Sequence, residues 1–240
     1  MEKFELKDIV AIGRSYSEYE AMFGLDKINM RAENVLDCGG GVSSFTYEAS
    51  LKGIHSISAD RIYKFTYKEL ETKSADDLKV MFNSLSKTKH HYKWDYYKNE
   101  ADLEKHRNYA RDLFLKDYRE NRGKKYITCN MPVSPFYDKE FTLTLCSHFL
   151  FLYDEHLDYE FHRKAIEELV RVTKGTILIY PLINLRYRKS EFVDRIMKDV
   201  IFKNAEFEII KTEFEFLKRS FSAYLTSNCH LIATSSPAFL

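Results

Sequence analysis

The sequence predicts a three-layer α/β fold built on a mostly parallel sheet, and three observations carry the expectation. Short apolar strands alternate with helical stretches through most of the chain. Three consecutive glycines, Gly39, Gly40 and Gly41, follow the first of those strands in a chain with only 8 glycines among 240 residues. Two alternating segments close the chain as a terminal strand pair. A domain of this length buries about 70–75% of the surface its unfolded chain exposes, so no disulfide or metal staple is needed. The 15% aromatic content excludes intrinsic disorder. With 37 basic and 36 acidic side chains the formal charge is +1, which argues against a wholly basic nucleic-acid binder.

Each element has its own signal. Residues 15–23 open on Ser15 or Ser17 as a cap, with Glu18 or Glu20 three residues on, the pattern of a capping box. Asn34 to Asp37 is a short apolar strand that stops at the glycines. Val42 to Leu51 is the helix that follows, with Gly53 closing it. His55 to Asp60 alternates as a second strand. Residues 61–125 then hold 17 basic and 11 acidic side chains, leaving −5 for the remainder. Tyr67 to Leu85 and Ala101 to Glu120 read as helices, separated by a wet aromatic stretch from His90 to Tyr97. This segment is a helical insertion or lid. Its mixture of cations and rings also suits a stacking surface for RNA. Tyr126 to Asn130 returns to strand, and Phe141 to Cys146 is the strongest alternating strand. Glu155 to Thr173 is an amphipathic helix ending at Gly175, followed by the strand Thr176 to Tyr180 and a helix over Phe192 to Val200. Phe207 to Phe216 and Ala223 to Thr234 are the late strands.

No apolar run reaches the roughly 18–20 residues that cross a bilayer, and the first residues lack a secretory pattern. Cys38, Cys129, Cys146 and Cys229 include no CxxC spacing, so a zinc site or disulfide framework is not expected. Reduced thiols in a cytoplasmic protein fit best. His156 and His162, with Glu155 and Asp158, read as a solvated helix face rather than a metal site.

The chemistry concentrates where strand one turns into its helix. Glycines let the backbone turn sharply and let a ligand approach the peptide, and the helix start offers free N–H groups. Asp60 ends the next strand, 23 residues after Asp37, where a carboxylate can accept from both hydroxyls of a ribose. A dinucleotide fingerprint would need a glycine at Ser44. Asp37 lies two residues before the first glycine, where it repels a pyrophosphate and suits a cationic amine, so the charge pattern disfavours a nicotinamide dinucleotide.

The motif Asp37-Cys38-Gly39-Gly40-Gly41-Val42-Ser43 resembles the first motif of class I S-adenosylmethionine-dependent methyltransferases. Ile57-Ser58-Ala59-Asp60 is similar to their second motif. Residues Asn130 to Phe136, Phe141 to His148, and Glu168 to Thr176 resemble the later ones. The resemblance covers residues 30–60 and 126–234. It implies a Rossmann-like sheet with a C-terminal antiparallel strand, a helical insertion after strand two, and an N-terminal helix within residues 1–30 that closes over the site. It implies one domain over residues 1–240, with S-adenosyl-L-methionine as cofactor. It supplies no acceptor, for which a small molecule is the first expectation and RNA or a non-catalytic cofactor-binding role the alternatives. Asp37, Cys38, Gly39, Gly41 and Ser43 would hold the methionine end, and Asp60 the ribose. Arg61, Ile62, Asn130 and Met131 would border the adenine, and Cys146 and Ser147 would face the amine and the methyl. Tyr16 would be a lid contact, and His148 the candidate base. The sequence departs from the family at Ser43 (usually glycine), Asn130 (usually acidic) and Thr142 (often aspartate). No Asn-Pro-Pro-Tyr follows strand four, which disfavours methylation of DNA base amines. The acceptor and the oligomeric state stay open.

Overall fold

The computed structural model describes residues 10–212, 214, 216, 218 and 221–227. Seven strands form one sheet: β1 (Asn34–Cys38), β2 (His55–Asp60), β3 (Tyr126–Thr128), β4 (Phe141–Ser147), β5 (Thr173–Tyr180), β6 (Ala205–Lys211) and β7 (Phe221–Ser227). They lie in the order β3-β2-β1-β4-β5-β7-β6. Pairings from β3 through β5 are parallel, and β7 runs antiparallel to both of its neighbours. This is the mostly parallel, Rossmann-like sheet with a reversed C-terminal strand that the motifs imply. The chain runs outward from β1 to β3, then returns to place β4 on the other side of β1. The gap between β1 and β4 is therefore the switch point, outside which ligands bind in such sheets.

Both faces of the central strands are buried, and alternate residues feed two cores. Val35, Leu143, Leu145 and Leu178 pack with α1 (Tyr16–Phe23), α2 (Phe45–Leu51) and the residues that cover them. Leu36, Cys146, Ile177 and Ile179 pack instead with α5 (Tyr159–Val172) and α6 (Glu191–Lys198). The first helix starts on Ser15, whose side chain and that of Glu18 complete the capping box. The second begins at Phe45 rather than Val42. Ser43 spends its hydroxyl on the Arg14 carbonyl and the Phe45 amide, which extends the turn. Gly53 follows α2 in the left-handed conformation, at φ 74°.

Between β2 and β3 stand α3 (Tyr67–Leu85) and α4 (Glu100–Asn121). Capping by Thr66 with Glu69 and by Asn99 fixes their starts. Phe114 of α4 stacks on Tyr63, Tyr118 meets it at a tilt, and both meet Tyr126 edge-on, so α4 belongs to the crossover between β2 and β3. The stretch from His90 to Tyr97 is not wet. Tyr92 and Tyr97 are buried, and Trp94 and Tyr96 pack against the same core. These rings pack with Phe214 and Phe216, with Trp94 and Tyr96 left half-buried, so nothing in their arrangement supports the expected nucleic-acid stacking surface.

Three further expectations need correction. Gly175 does not cap α5, because the helix ends at Val172 and passes directly into β5. A Cβ on Gly175 would lie 2.1 Å from the Thr142 carbonyl oxygen, so glycine is required there by the close approach of β4. The helix begins only after Asp158, which caps it, and His162 is buried rather than solvated. His162 stacks on Phe151, and its Nδ1 lies 2.8 Å from the Asp158 carbonyl. The late strands are Ala205–Lys211 and Phe221–Ser227. Cys229 and the end of the strand expected to reach Thr234 lie outside the described residues. Among the described residues no helix is long and apolar enough to cross a membrane.

Candidate functional site

A cavity of about 800 Å³ opens at the carboxyl ends of β1, β2, β4 and β5. Small-molecule sites run to about 300–1,000 Å³, so this one accommodates a nucleoside-sized ligand together with a second small molecule. Its floor is the glycine turn. Gly39 has φ 71° and Gly41 φ 57°, backbone that favours glycine. A Cβ on Gly39 would lie 2.8 Å from the Phe149 side chain, whereas one on Gly41 would meet nothing within 4 Å. Gly41 thus presents bare backbone to open space, as a cradle for a ligand does.

Asp60 closes one end of the turn. Its Oδ2 accepts from the Gly41 amide at 2.9 Å and its Oδ1 from the Ile62 amide at 3.0 Å. Each oxygen keeps a second lone pair for a ligand hydroxyl. Burial raises the Asp60 carboxyl above its ordinary value, against the amide bonds and the neighbouring Arg61. Arg61, Ile62, Asn130 and Met131 line the same end of the cavity. Gly39, Gly41, Ser43, Ser147 and His148 line the remainder of the predicted set.

Four predicted contacts do not reach the cavity. Asp37 is fully buried beneath the turn, its Oδ1 bonded to the Tyr19 hydroxyl at 2.8 Å and its Oδ2 to the Ser58 hydroxyl at 2.9 Å. A Cβ on Gly40 would lie 2.3 Å from Asp37 Oδ2, so the carboxylate backs the turn and acts through it. Burial pushes Asp37 up to about 7. Cys38 and Cys146 face the core on the α5 side, their thiols in contact across β1 and β4. Tyr16 stacks on Phe45 at 5.4 Å, with the Lys52 ammonium over its ring, and is a packing residue. Tyr19, one turn later on α1, lines the cavity in its place.

His148 occupies the left-handed region at φ 53°, with its amide on the Tyr180 carbonyl at 2.6 Å. Its Nδ1 lies 2.8 Å from the Ser147 hydroxyl. Burial, helped by the Arg14 and Arg107 charges, holds the imidazole well below its ordinary pKa. It is therefore neutral near pH 7 and able to accept a proton.

Behind it lies a buried ion cluster that sequence reasoning missed. Glu18 binds Arg107 and Tyr97, and Arg107 donates to the Tyr97 hydroxyl at 2.7 Å and to the Gly13 carbonyl at 3.3 Å. Burial works against the Glu18 carboxylate, yet Arg107 and Arg14 outweigh it and hold its pKa low. The signal for Arg107 was present: it continues the buried stripe Leu103, Ala110, Phe114 of α4, where a lone arginine among apolar residues is anomalous. Tyr92, Tyr153, Asn184 and Tyr187 also line the cavity. Tyr153 ends a short 3-10 helix and the others lie in connecting segments, and none carried such a signal.

No protein-family model matches the chain. Its fold is similar to that of a SAM-dependent methyltransferase from Aquifex aeolicus, 15% identical, with a TM-score of 0.43 over 88% of this chain and 93% of that one. It is also similar to the PH0226 protein from Pyrococcus horikoshii, 13% identical, with a TM-score of 0.41 over 85% and 84% of the two chains. "Uncharacterized protein MJ0045" of Methanocaldococcus jannaschii is 38% identical over 219 residues, 91% of this chain and 96% of that one. The chain belongs to the family of this Methanocaldococcus protein.

Proposed function

We propose that the protein transfers a methyl group from S-adenosyl-L-methionine to a small-molecule acceptor. One observation carries this: the Gly39–Gly41 turn after β1 and Asp60 at the end of β2 face one cavity at the switch point of the sheet. The donor set fits this cofactor. Asp60 keeps lone pairs for a ribose, Ile62 and Met131 offer apolar sides for an adenine, and the Asn130 amide can meet its edge. Asp37 directly beneath the turn, pushed up to about 7 by burial, gains its charge opposite an ammonium and not opposite a pyrophosphate, which disfavours a nicotinamide dinucleotide.

When bound, the cofactor would supply a methyl carbon on a cationic sulfur, open to in-line displacement by an acceptor's lone pair with the bonding electrons leaving on sulfur. The chain contributes alignment, which by itself accelerates such displacements. The walls formed by Met81, Leu85, Leu103 and Leu152 limit water around the reactants. His148, neutral and beside Ser147, is the group to take the proton that a hydroxyl acceptor sheds as it is methylated. An RNA acceptor has less support, because Tyr92 and Tyr97 are buried.

The test is methyl-labelled cofactor incubated with the acid-soluble metabolite fraction of a cell extract and, separately, with total RNA. Label in the low-mass fraction supports the proposal. Label in RNA alone overturns the small-molecule acceptor, and cofactor binding without any transfer overturns catalysis.

A further inference from the structure

The cavity is chemically lopsided. The residues lining it include five basic side chains, Arg14, Arg61, Lys64, Lys73 and Arg107, and one acid, Asp60; of the five, Lys73 is paired with Asp77 and Arg107 with Glu18. Asp60 stands at the end of β2, and the loop carrying Tyr187 follows β5, three strand spacings away in the sheet. At 4.7–4.9 Å per spacing this is about 14 Å, so the end near β4 and β5 lies beyond the nucleotide end. His148 follows β4, and Tyr187 after β5 meets Tyr92, so these groups lie toward that far end, while Arg14, whose carbonyl accepts from Ser43 and Ser44 beside the glycine turn, lines the same cavity.

Arg14 is the group there without a full complement of partners. Its Nη1 donates to the Ile12 and Gly13 carbonyls, at 2.9 and 3.3 Å, while its Nε is buried with no acceptor. Buried donors are nearly always paired, so this guanidinium is under-partnered; Nε itself is enclosed, and a ligand in the cavity would meet the part of the half-buried side chain that lines it. Glu18 does not fill that role, since its carboxylate is taken by Arg107, Tyr97 and Ser15. Two guanidinium groups therefore share one carboxylate. Burial and the neighbouring Arg107 push Arg14 down to about 10, the mark of a cation short of counter-charge. The segment that carries it reaches the tyrosines, since the Val10 amide donates to the Tyr153 hydroxyl at 3.4 Å, and Arg14, Tyr153 and His148 line one cavity. Around it are flat rings: Tyr92 meets Tyr187 edge-on at 6.0 Å, and Phe216 packs against Tyr92 at 4.8 Å.

We infer that the methyl acceptor is an anionic, planar small molecule whose carboxylate or phosphate pairs with Arg14, its ring lying among Tyr92, Tyr153 and Tyr187 beside His148. This rests on the methyl-transfer reading of the cavity. The competing occupant of Arg14 is the carboxylate of the cofactor itself, and binding measurements separate the two.

The probes are 4-hydroxybenzoate, phenyl phosphate and the neutral 4-hydroxybenzamide, titrated calorimetrically into the protein with and without saturating S-adenosylhomocysteine. The acid or the phosphate should bind at least about ten-fold tighter than the amide, since a charge-assisted bond replaces a neutral one; which of them binds identifies the anion. Arg14→Gln should abolish the preference while its affinity for S-adenosylhomocysteine stays within about three-fold of wild type, and Arg14→Lys, which keeps the charge, should retain part of it. Equal binding of acid and amide overturns the inference, as does a preference that survives in Arg14→Gln. A ten-fold loss of S-adenosylhomocysteine affinity in Arg14→Gln also overturns it and gives Arg14 to the cofactor. Failure of the wild type to bind S-adenosylhomocysteine overturns the methyl-transfer reading instead. The titrations without it then decide whether an anion site stands alone.

Discussion

Replacing Asp37 with asparagine should stabilise the protein relative to wild type, and increasingly so as pH rises; the size of the effect follows from where the carboxyl sits. Burial raises Asp37 from its ordinary 3.8 to about 7, against hydrogen bonds from Tyr19 and Ser58 and with the Asp60 charge adding to it. Between those two values the folded protein holds a proton that the unfolded chain has released, so stability falls as pH climbs. Each pH unit between them costs about 1.36 kcal/mol, which amounts to about 4 kcal/mol once the group is ionised in both states. Roughly two-thirds of that interval lies above pH 5, so Asp37→Asn should gain about 3 kcal/mol relative to wild type between pH 5 and pH 8. An asparagine oxygen can still accept from Tyr19, so the packing changes little. The assay is urea unfolding of the cofactor-free protein at several pH values, followed by the fluorescence of Trp94. A difference between the two proteins that is flat with pH, or that favours wild type as pH rises, refutes the reasoning.

Glu18→Gln removes the one carboxylate between Arg107 and Tyr97. Breaking one side of a buried pair costs about 3–5 kcal/mol. At about 2–4 °C per kcal/mol for a chain of this size, the thermal midpoint should fall on the order of 10 °C; a drop under about 2 °C would contradict a structural role. His148→Gln should lower kcat by about 10²–10⁴-fold if a proton is taken there, with S-adenosylhomocysteine affinity unchanged. Because burial holds His148 well below its ordinary 6.5, the wild-type rate should stay level from pH 8 down past 6.5 and fall only below it. A half-maximal rate at or above pH 6.5 would count against His148 as the base. The same depressed value means that the buried neutral histidine costs stability only as pH drops below 6.5, where the unfolded chain binds the proton first.

Much of the site was legible because its parts obey local rules. The glycine turn needs positive φ at Gly39 and Gly41, and Asp60 ends a strand whose bounds follow from alternation, so the sequence marks both. Helices α1 and α3 start where a serine or threonine meets a glutamate three residues on. What escaped depended on contacts remote in sequence. Tyr16 and Tyr19 both lie on α1 and both stack on Phe45, and what separates them is remote: Lys52 sits over the Tyr16 ring, while the Tyr19 hydroxyl reaches Asp37 under the turn and its side chain lines the cavity. The aromatic stretch from His90 to Tyr97 looks polar because lysines and Asp95 interrupt it. Its rings are buried by Phe214 and Phe216 from the far end of the chain. Gly175 reads as a helix cap, yet its reason is the Thr142 carbonyl on the neighbouring strand. Asp37 was placed in the right motif but on the wrong side of the turn, because nothing local announces that Tyr19 and Ser58 will hold its oxygens.

The central claim is that the turn and Asp60 together form a binding site for S-adenosyl-L-methionine. Calorimetry of the wild-type protein and of Asp60→Ala, with S-adenosyl-L-methionine and S-adenosylhomocysteine each taken to millimolar concentration, tests it most directly. The account predicts saturable heat with both ligands for wild type and a raised melting temperature in their presence, with at least a ten-fold loss of affinity in Asp60→Ala. No heat and no melting shift for the folded wild-type protein would contradict it.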